Sequence, residues 1–568
     1  MAELGVADIG PRGWLGGRHK SSRLVWGLIL LAAAATVTLG PILVVIDGSF
    51  DDEGAWRSII YESGHAHSAL GYSVLFAARA PFAALTGFFI AWLLIRVPIP
   101  GRGFIEFMFW IAFFLPLIPV TLGWMLILDD HNGLLNIWLK DWFALEQSIF
   151  EVNSIAGIFW VHMTASSVPV MIILLGPAIR QMDGTLEDAG RICGSGALQV
   201  FRRITLPLLV PALLTGTILG FIRGLEAFEV EQLLGAPAQI YVYSTHVYAL
   251  VNWEPPRLGE AMALSTVVLF ALLVLALIYQ RYTAAHSYAT ITGSGLSLRQ
   301  FSIGRWRWVL SAVFFLVIAV IVFVPMAFLV LGTSMTLFGF FDLDEPFTWE
   351  YWRIVVGDTN FVPAIINTLI LGLGAAAIGV FVYAGLAYAI QRTRVAMRPA
   401  TDFLVWLPWC VPGILLGVGL LTLVLFTPLL TPFYGSIGLL IFAITVAQLP
   451  LGVSIMKNSI SQIGIELEHA SQVCGAARLQ TFRRIVLPLM KPILISVFVL
   501  VAIAGIRDVS TVLLLAQPSS LPLSVLMLEY ANNGDVEMAA CVGVVTAAMV
   551  VIVAIVARRF GLQIGQAR

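Results

Sequence analysis

The sequence predicts an all-α membrane protein of about twelve transmembrane helices, arranged as two parallel six-helix repeats. Three observations carry that reading. Of 568 residues, 59% are hydrophobic and 11% charged, with a mean hydropathy of +0.93; soluble domains are about 45–50% apolar and about 25% charged. The apolar residues gather in twelve runs of spanning length. One 26-residue segment occurs twice, 281 residues apart. This composition excludes a soluble globular protein, a disordered chain and a nucleic-acid binder. The net charge of −1 says little; where the charges sit says more.

Roughly 20 mainly apolar residues cross about 30 Å of hydrocarbon. The runs lie at 24–46, 69–95, 104–128, 154–179, 208–225 and 259–281, then at 307–333, 362–390, 402–427, 436–456, 489–505 and 536–557. In lipid the backbone must satisfy its own hydrogen bonds, so runs of this kind are helices. The first run follows Arg18, Lys20 and Arg23. It is too long for a signal peptide and no small-residue cleavage site follows, so it is expected to remain as a span.

Lys and Arg favour cytoplasmic loops. With the N-terminus inside, 25 of the 32 basic residues fall on the cytoplasmic side and six outside, with Arg79 within the second span. Both termini are therefore expected in the cytoplasm. The division that follows is a cytoplasmic N-terminal segment at 1–23, a first unit at 24–285, a cytoplasmic linker at 286–306 and a second unit at 307–568. Asp51, Asp52, Glu53, Asp129, Asp130, Glu226, Glu229, Glu231, Asp342, Asp344, Glu345 and Asp535 all fall outside. They read either as a solvated surface or as a landing surface for a basic partner or cationic cargo. The four cysteines, Cys193, Cys410, Cys474 and Cys541, contain no CxxC pair, so neither a zinc site nor a disulfide framework is suggested.

The repeat is the most informative feature. Residues 186–211 read LEDAGRICGSGALQVFRRITLPLLVP and residues 467–492 read LEHASQVCGAARLQTFRRIVLPLMKP. Fifteen of the 26 positions are identical, and each copy lies between the fourth and fifth spans of its half. A short helix to Cys193 is interrupted at Gly194, where glycine permits a turn that a side chain hinders. A second helical stretch runs from Leu198 to Ile204, and Leu206-Pro207 opens the next span, a position that suits proline. Each copy offers Glu187, Ala189 and Arg202-Arg203, or Glu468, Ala470 and Arg483-Arg484, with Gly475 and Pro488 completing the second. A plain connector needs only polarity and turn residues, so a connector alone does not explain this fixed spacing.

These loops resemble the EAA signature of permeases in binding-protein-dependent ABC importers. The resemblance covers nearly the whole chain, as two fused permease units, and implies a type I ABC importer permease fold. In that family the loops form coupling helices that dock on ATPase subunits. Carried over, Glu187, Ala189, Gly194 and Pro207 match in the first half, and Glu468, Ala470, Gly475 and Pro488 in the second. Asp188 and His469 take the middle place of the signature, and Gly190 and Ser471 follow the alanine. The implied partners are two copies of an ABC ATPase subunit, a periplasmic substrate-binding protein and membrane lipid, in a bacterial inner membrane. No GxxxxGK[ST] occurs, and a phosphate-cradling loop needs that lysine. ATP and Mg are therefore expected on the partner ATPase, with no cofactor in this chain and no covalent chemistry of its own.

Charges near the bilayer interior are functional candidates. After the fifth span, Arg223 is followed by Glu226 and Glu229; after the eleventh, Arg507 is followed by Asp508 and Ser510. Each arginine reads either as paired with its acid or as part of a gate or transient cargo site. Arg79 reads as snorkelling or as lining the route, and His162 as a core histidine rather than a metal ligand. Within the importers, LEAFEVEQLLGAPAQIYVYSTHVYAL (225–250), SYATITG (287–293), GRWRW (304–308) and IRDVSTVLLLAQP (506–518) resemble the fused permeases for ferric iron uptake. Those usually carry proline where Glu231 stands and Arg-Glu-Leu where Arg507-Asp508-Val509 stand. Carboxylates such as Glu226, Glu229 and Asp508 suit Fe(III), whereas Arg223 and Arg507 suit oxyanions. Ferric iron is the expected cargo; a phosphonate, sugar phosphate, thiamine or polyamine is the alternative. An ion-coupled secondary carrier, also often two six-span halves, would place acids within its spans, and here nearly all lie outside them.

Overall fold

The computed structural model of the chain describes residues 18–182, 184–285, 300–301, 303–341, 343–392 and 398–559. Most of the N-terminal segment, most of the linker with its SYATITG motif, and Asp342 lie outside the described residues. The described residues are helical in every regular element, apart from one isolated bridge between Met335 and Phe347.

Among the described residues, eight helices are long and apolar enough to cross a membrane: Leu31–Asp51, Gly64–Arg96, Ile155–Gln181, Leu198–Leu225, Leu258–Tyr282, Trp306–Gly332, Phe361–Arg392 and Val536–Arg559. Four helix pairs bent at a break pass the same test together, so the total is up to twelve with each pair taken as one span. The third span joins Arg102–Phe114 to Leu117–Leu128 at 99°, and the ninth joins Arg398–Cys410 to Gly413–Phe426 at 107°. The tenth and eleventh bend by 52° and 76°. Proline marks every break: Pro116 and Pro412 precede the outgoing arms of the third and ninth spans, and Pro450 and Pro492 open those of the tenth and eleventh. Proline lacks the amide hydrogen and clashes with the carbonyl one turn back, so a helix bends there. The fourth span of the first half has Pro169 at the place of Pro450 but absorbs the irregularity in a π-turn, Met163–Ser167.

The halves interlock through their first spans. The first span packs on the ninth, and the seventh on the third. At both crossings a glycine faces a proline carbonyl. A Cβ at Gly123 would lie 2.0 Å from the oxygen of Pro325, and one at Gly419 would lie 2.6 Å from that of Pro41. Small residues let membrane helices approach to backbone contact, so these glycines fix how closely the two halves sit.

Candidate functional site

The two loops of the repeat have one geometry. The first short helix is Thr185–Ile192 in one copy and Ile465–Val473 in the other. Each ends at a glycine in the left-handed region, Gly194 at φ 84° and Gly475 at φ 87°, a conformation that a Cβ disfavours. The same amides close both turns: Cys193 to Ala189, Gly194 to Arg191 and Ser195 to Gly190, matched by Cys474 to Ala470, Gly475 to Gln472 and Ala476 to Ser471. A second short helix and a π-turn, Phe201–Thr205 or Phe482–Val486, then lead into the fifth or eleventh span. Pro207 and Pro488 sit in the first turn beyond.

Exposure separates these residues into two faces. Ala189, Arg202, Arg203, Ala470, Arg483 and Arg484 are exposed, as are Pro207 and Pro488. Three apolar side chains in each loop are exposed with them: Leu186, Ile192 and Leu198, matched 281 positions on by Leu467, Val473 and Leu479. Ile192 and Val473 are each 87% exposed. Apolar side chains held out at matched positions give each loop an exposed apolar surface, of the kind that meets a protein partner or a membrane.

Glu187 and Glu468 do not belong to that surface. The expectation that the loops offer them outward is corrected: they are 1% and 3% exposed. Thr205 Oγ1 donates to Glu187 Oε1 at 2.7 Å, and Arg96 Nη1 lies 3.9 Å from the other carboxylate oxygen. In the second loop Arg392 Nε lies 2.7 Å from Glu468 Oε1, and the Tyr388 hydroxyl donates to Oε2 at 2.9 Å. Sequence reasoning missed Arg96, Arg392 and their neighbours Trp92 and Tyr388. The signal was an aromatic four residues before an arginine at the end of both second spans, a spacing that puts both on one helix face.

The loops that follow the fifth and eleventh spans bring charges of both halves together near the opposite end of the bundle. Arg223 pairs with Glu226 at 2.8 Å. Arg507 does not pair with Asp508. Its guanidinium donates to the Phe113 carbonyl of the other half, beside the break of the third span, and lies 5.4 Å from that ring. Asp508 instead accepts from the Thr511 amide at 2.9 Å and hydroxyl at 3.1 Å. The 281-residue offset continues to Ala227 and Asp508, whose carbonyls accept from Ser244 and Ser524 respectively. Glu226 thus occupies the place of Arg507, and Glu229 that of Ser510; the shared Arg-then-acid order is not a structural equivalence. Ser510 lies against the ninth span, where a Cβ at Gly413 would meet its hydroxyl at 2.3 Å. Burial pushes the Glu229 carboxyl up to about 7, opposed by its own backbone hydrogen bond; Asp508 and Glu231 push the same way and Arg507 opposes.

Arg79 lies within the second span, between the helices Gly64–Ala77 and Ala80–Arg96. It is buried, donating to the Phe76 carbonyl at 2.7 Å and to Ser167 at 3.2 Å. Glu231, expected on the outer surface, is wholly buried and meets His162 Nε2 at 2.7 Å. A glutamate in a loop and a histidine 69 residues earlier gave no sequence signal of one another. Among the described residues, Asp129, Asp130 and His131 are the one group of three side chains close enough to share a metal ion, and no predicted pathway residue is in it.

Residues 377–566 match the family described as binding-protein-dependent transport system inner membrane component. The chain is 27% identical to the probable ABC transporter permease protein y4fN of Sinorhizobium fredii (strain NBRC 101917 / NGR234), over 83% of this chain and 84% of that protein. Residues 377–566 thus carry that family's domain, and the chain as a whole is similar to ABC transporter permeases. The ferric transport system permease protein FbpB of Actinobacillus pleuropneumoniae is 25% identical over 75% of the permease and 61% of that relative's length. The molybdenum transport system permease protein ModB of Escherichia coli (strain K12) is 27% identical over 35% of the permease and 84% of that protein. Permease subunits of this class are not themselves enzymes.

Proposed function

We propose that this permease moves ferric iron from a periplasmic binding protein into the cytoplasm of a bacterium by ATP-driven alternating access. The observation that carries the reading is the pair of loops with one backbone geometry and one set of exposed apolar and arginine side chains, at equivalent places in two halves. Each loop docks one ATPase subunit, with Gly194 or Gly475 turning the chain so that Leu186, Ile192 and Leu198, or Leu467, Val473 and Leu479, face the partner. ATP and Mg reside on those subunits. Both termini and both loops face the cytoplasm in the bacterial inner membrane, in keeping with the 25-to-6 bias of basic residues. Units at 24–285 and 307–568, joined by the linker at 286–306, rock against one another as the ATPase subunits close and reopen.

Ferric iron is supported by the ferric-transport relative and by Glu226, Glu229 and Asp508 beside the route. A second reading takes an oxyanion such as a phosphonate or sugar phosphate. The molybdenum relative and the half-exposed Arg223 favour it. Uptake into proteoliposomes separates the two. They hold the permease and its ATPase, with ATP inside and binding protein loaded with labelled ferric iron outside. ATP-dependent accumulation that vanishes without the binding protein supports iron. ATPase stimulation only by binding protein carrying the oxyanion replaces the cargo and keeps the class. Uptake that proceeds without ATP contradicts both.

A further inference from the structure

The buried glutamates of the two loops face the second span of their own half. Arg96 and Arg392 each end a second span, and each is held at several points. Arg96, wholly buried, reaches the Met182 carbonyl as well as Glu187; Arg392 donates to the Ile460 and Ile463 carbonyls as well as meeting Glu468. Met182 and Ile463 stand at the 281-residue offset, immediately before the loops. One turn back along each second span, an aromatic ring receives the phenylalanine of the repeat. Phe201 lies 5.1 Å from Trp92, and Phe482 lies 4.6 Å from Tyr388, between ring centroids. A loop attached only by its two chain ends could tilt without moving a span. These loops have a third attachment, made of an ion pair and a ring contact, in both halves.

We propose that Arg96 and Arg392 are positioning residues of the coupling step: each locks its loop to the second span, so that displacement of the loop by the ATPase turns that span directly. The proposal rests on reading the loops as ATPase docks. The physical reason is stiffness. An arginine with several fixed acceptors and little exposure has few alternative placements, and its loss leaves the buried glutamate without its partner. The loop and the second span then move as one body, and the exposed apolar and arginine residues remain free for the partner.

The experiment compares uptake with hydrolysis in proteoliposomes holding the full chain, its ATPase and the loaded binding protein. In Arg392→Gln, binding-protein-stimulated hydrolysis is expected to continue, while solute moved per ATP falls about tenfold, within the usual range of coupling between sites. Arg392→Lys should recover part of the ratio. Arg392→Gln with Glu468→Gln should be no worse than either alone, because both remove one interaction. An unchanged ratio in Arg392→Gln and Arg96→Gln, or losses that multiply in the double variant, overturns the proposal. A second measurement needs no ATPase. With Cys193→Ser and Cys474→Ser as background, spin labels are placed at the exposed positions Ala470 and Phe381. The distance distribution between them should be narrow with Arg392 and broad with Arg392→Gln; equal widths overturn the lock. Failure of the wild-type chain to show any ATP-dependent uptake would strike the reading of the loops and leave this measurement standing.

Discussion

The two halves of the permease agree on the face that carries the loops and disagree near the other end. At the loops, two glutamates, two arginines, two phenylalanines and two left-handed glycines occupy matched places. Farther along, the first half buries Arg79, His162 and Glu231 around one polar contact. The second half has Gly374-Ala375, Ala443 and Val512 at the corresponding positions, all small or apolar. Glu226 of one half stands where Arg507 stands in the other. The difference teaches which constraint acts where. Matched loops suit the pair of ATPase subunits proposed above. The loops after the fifth and eleventh spans lie near each other and need only complement one another.

The linker adds a second difference. The Phe301 amide donates to the Arg96 carbonyl at 2.7 Å, and the Arg191 guanidinium lies over the Phe301 ring at 4.5 Å. The residue at the place of Arg191 in the second loop is Gln472. The first loop is therefore held by the segment that joins the halves, in addition to its glutamate.

The largest effect is expected at the buried polar contact. His162→Leu leaves the Glu231 carboxylate without its 2.7 Å partner, and should cost about 3 kcal/mol of stability, read as a fall in thermal unfolding temperature in detergent or nanodiscs. Arg79→Ala, His162→Ala and Glu231→Val together write the second half's solution into the first, and should recover most of that loss. If the single and triple variants unfold together, the halves do not differ in the way described.

A smaller effect is expected at the linker. Phe301→Ala removes a ring held by Arg191 and lying 6.2 Å from Trp92, worth about 1 kcal/mol. Amide exchange in residues 185–193 should speed up about fivefold, with residues 465–473 unchanged. Equal acceleration in both loops would erase the asymmetry.

The smallest effect is a pH dependence. The Glu229 carboxyl is raised to about 7 by burial, so the folded protein holds a proton that the unfolded chain releases near pH 4.5. Stability from this group falls as pH rises from there to about 7 and is flat above. The place of Glu229 in the second half is Ser510, which does not titrate in this range. Glu229→Gln should therefore flatten the unfolding temperature between pH 5 and 8, whereas Ser510→Ala should leave its slope as it was.

The spans were legible because hydropathy alone sets them, and the bends lie at prolines already visible in the sequence. The loops were legible because they recur. The direction in which Glu187 and Glu468 face was not. A repeat shows that a position matters, not which side of a helix it occupies. Their partners were hidden by a change of offset: Trp92 and Arg96 recur 296 residues on, as Tyr388 and Arg392, whereas the loops recur at 281. The difference arises between the third and fourth spans, where the first half inserts the amphipathic helix Leu134–Phe143. The pairing of His162 with Glu231 joins residues from a span and a distant loop, and only the packed fold brings them together.

The most direct test of the central claim, that each of the two loops docks one ATPase subunit, is the native mass of the complex purified with its ATPase. One permease chain with two ATPase subunits is expected, with loss of a subunit when a bulky charged residue replaces the left-handed glycine of one loop, as in Gly475→Arg. A complex with a single ATPase, or one whose composition ignores both Gly194→Arg and Gly475→Arg, would contradict it.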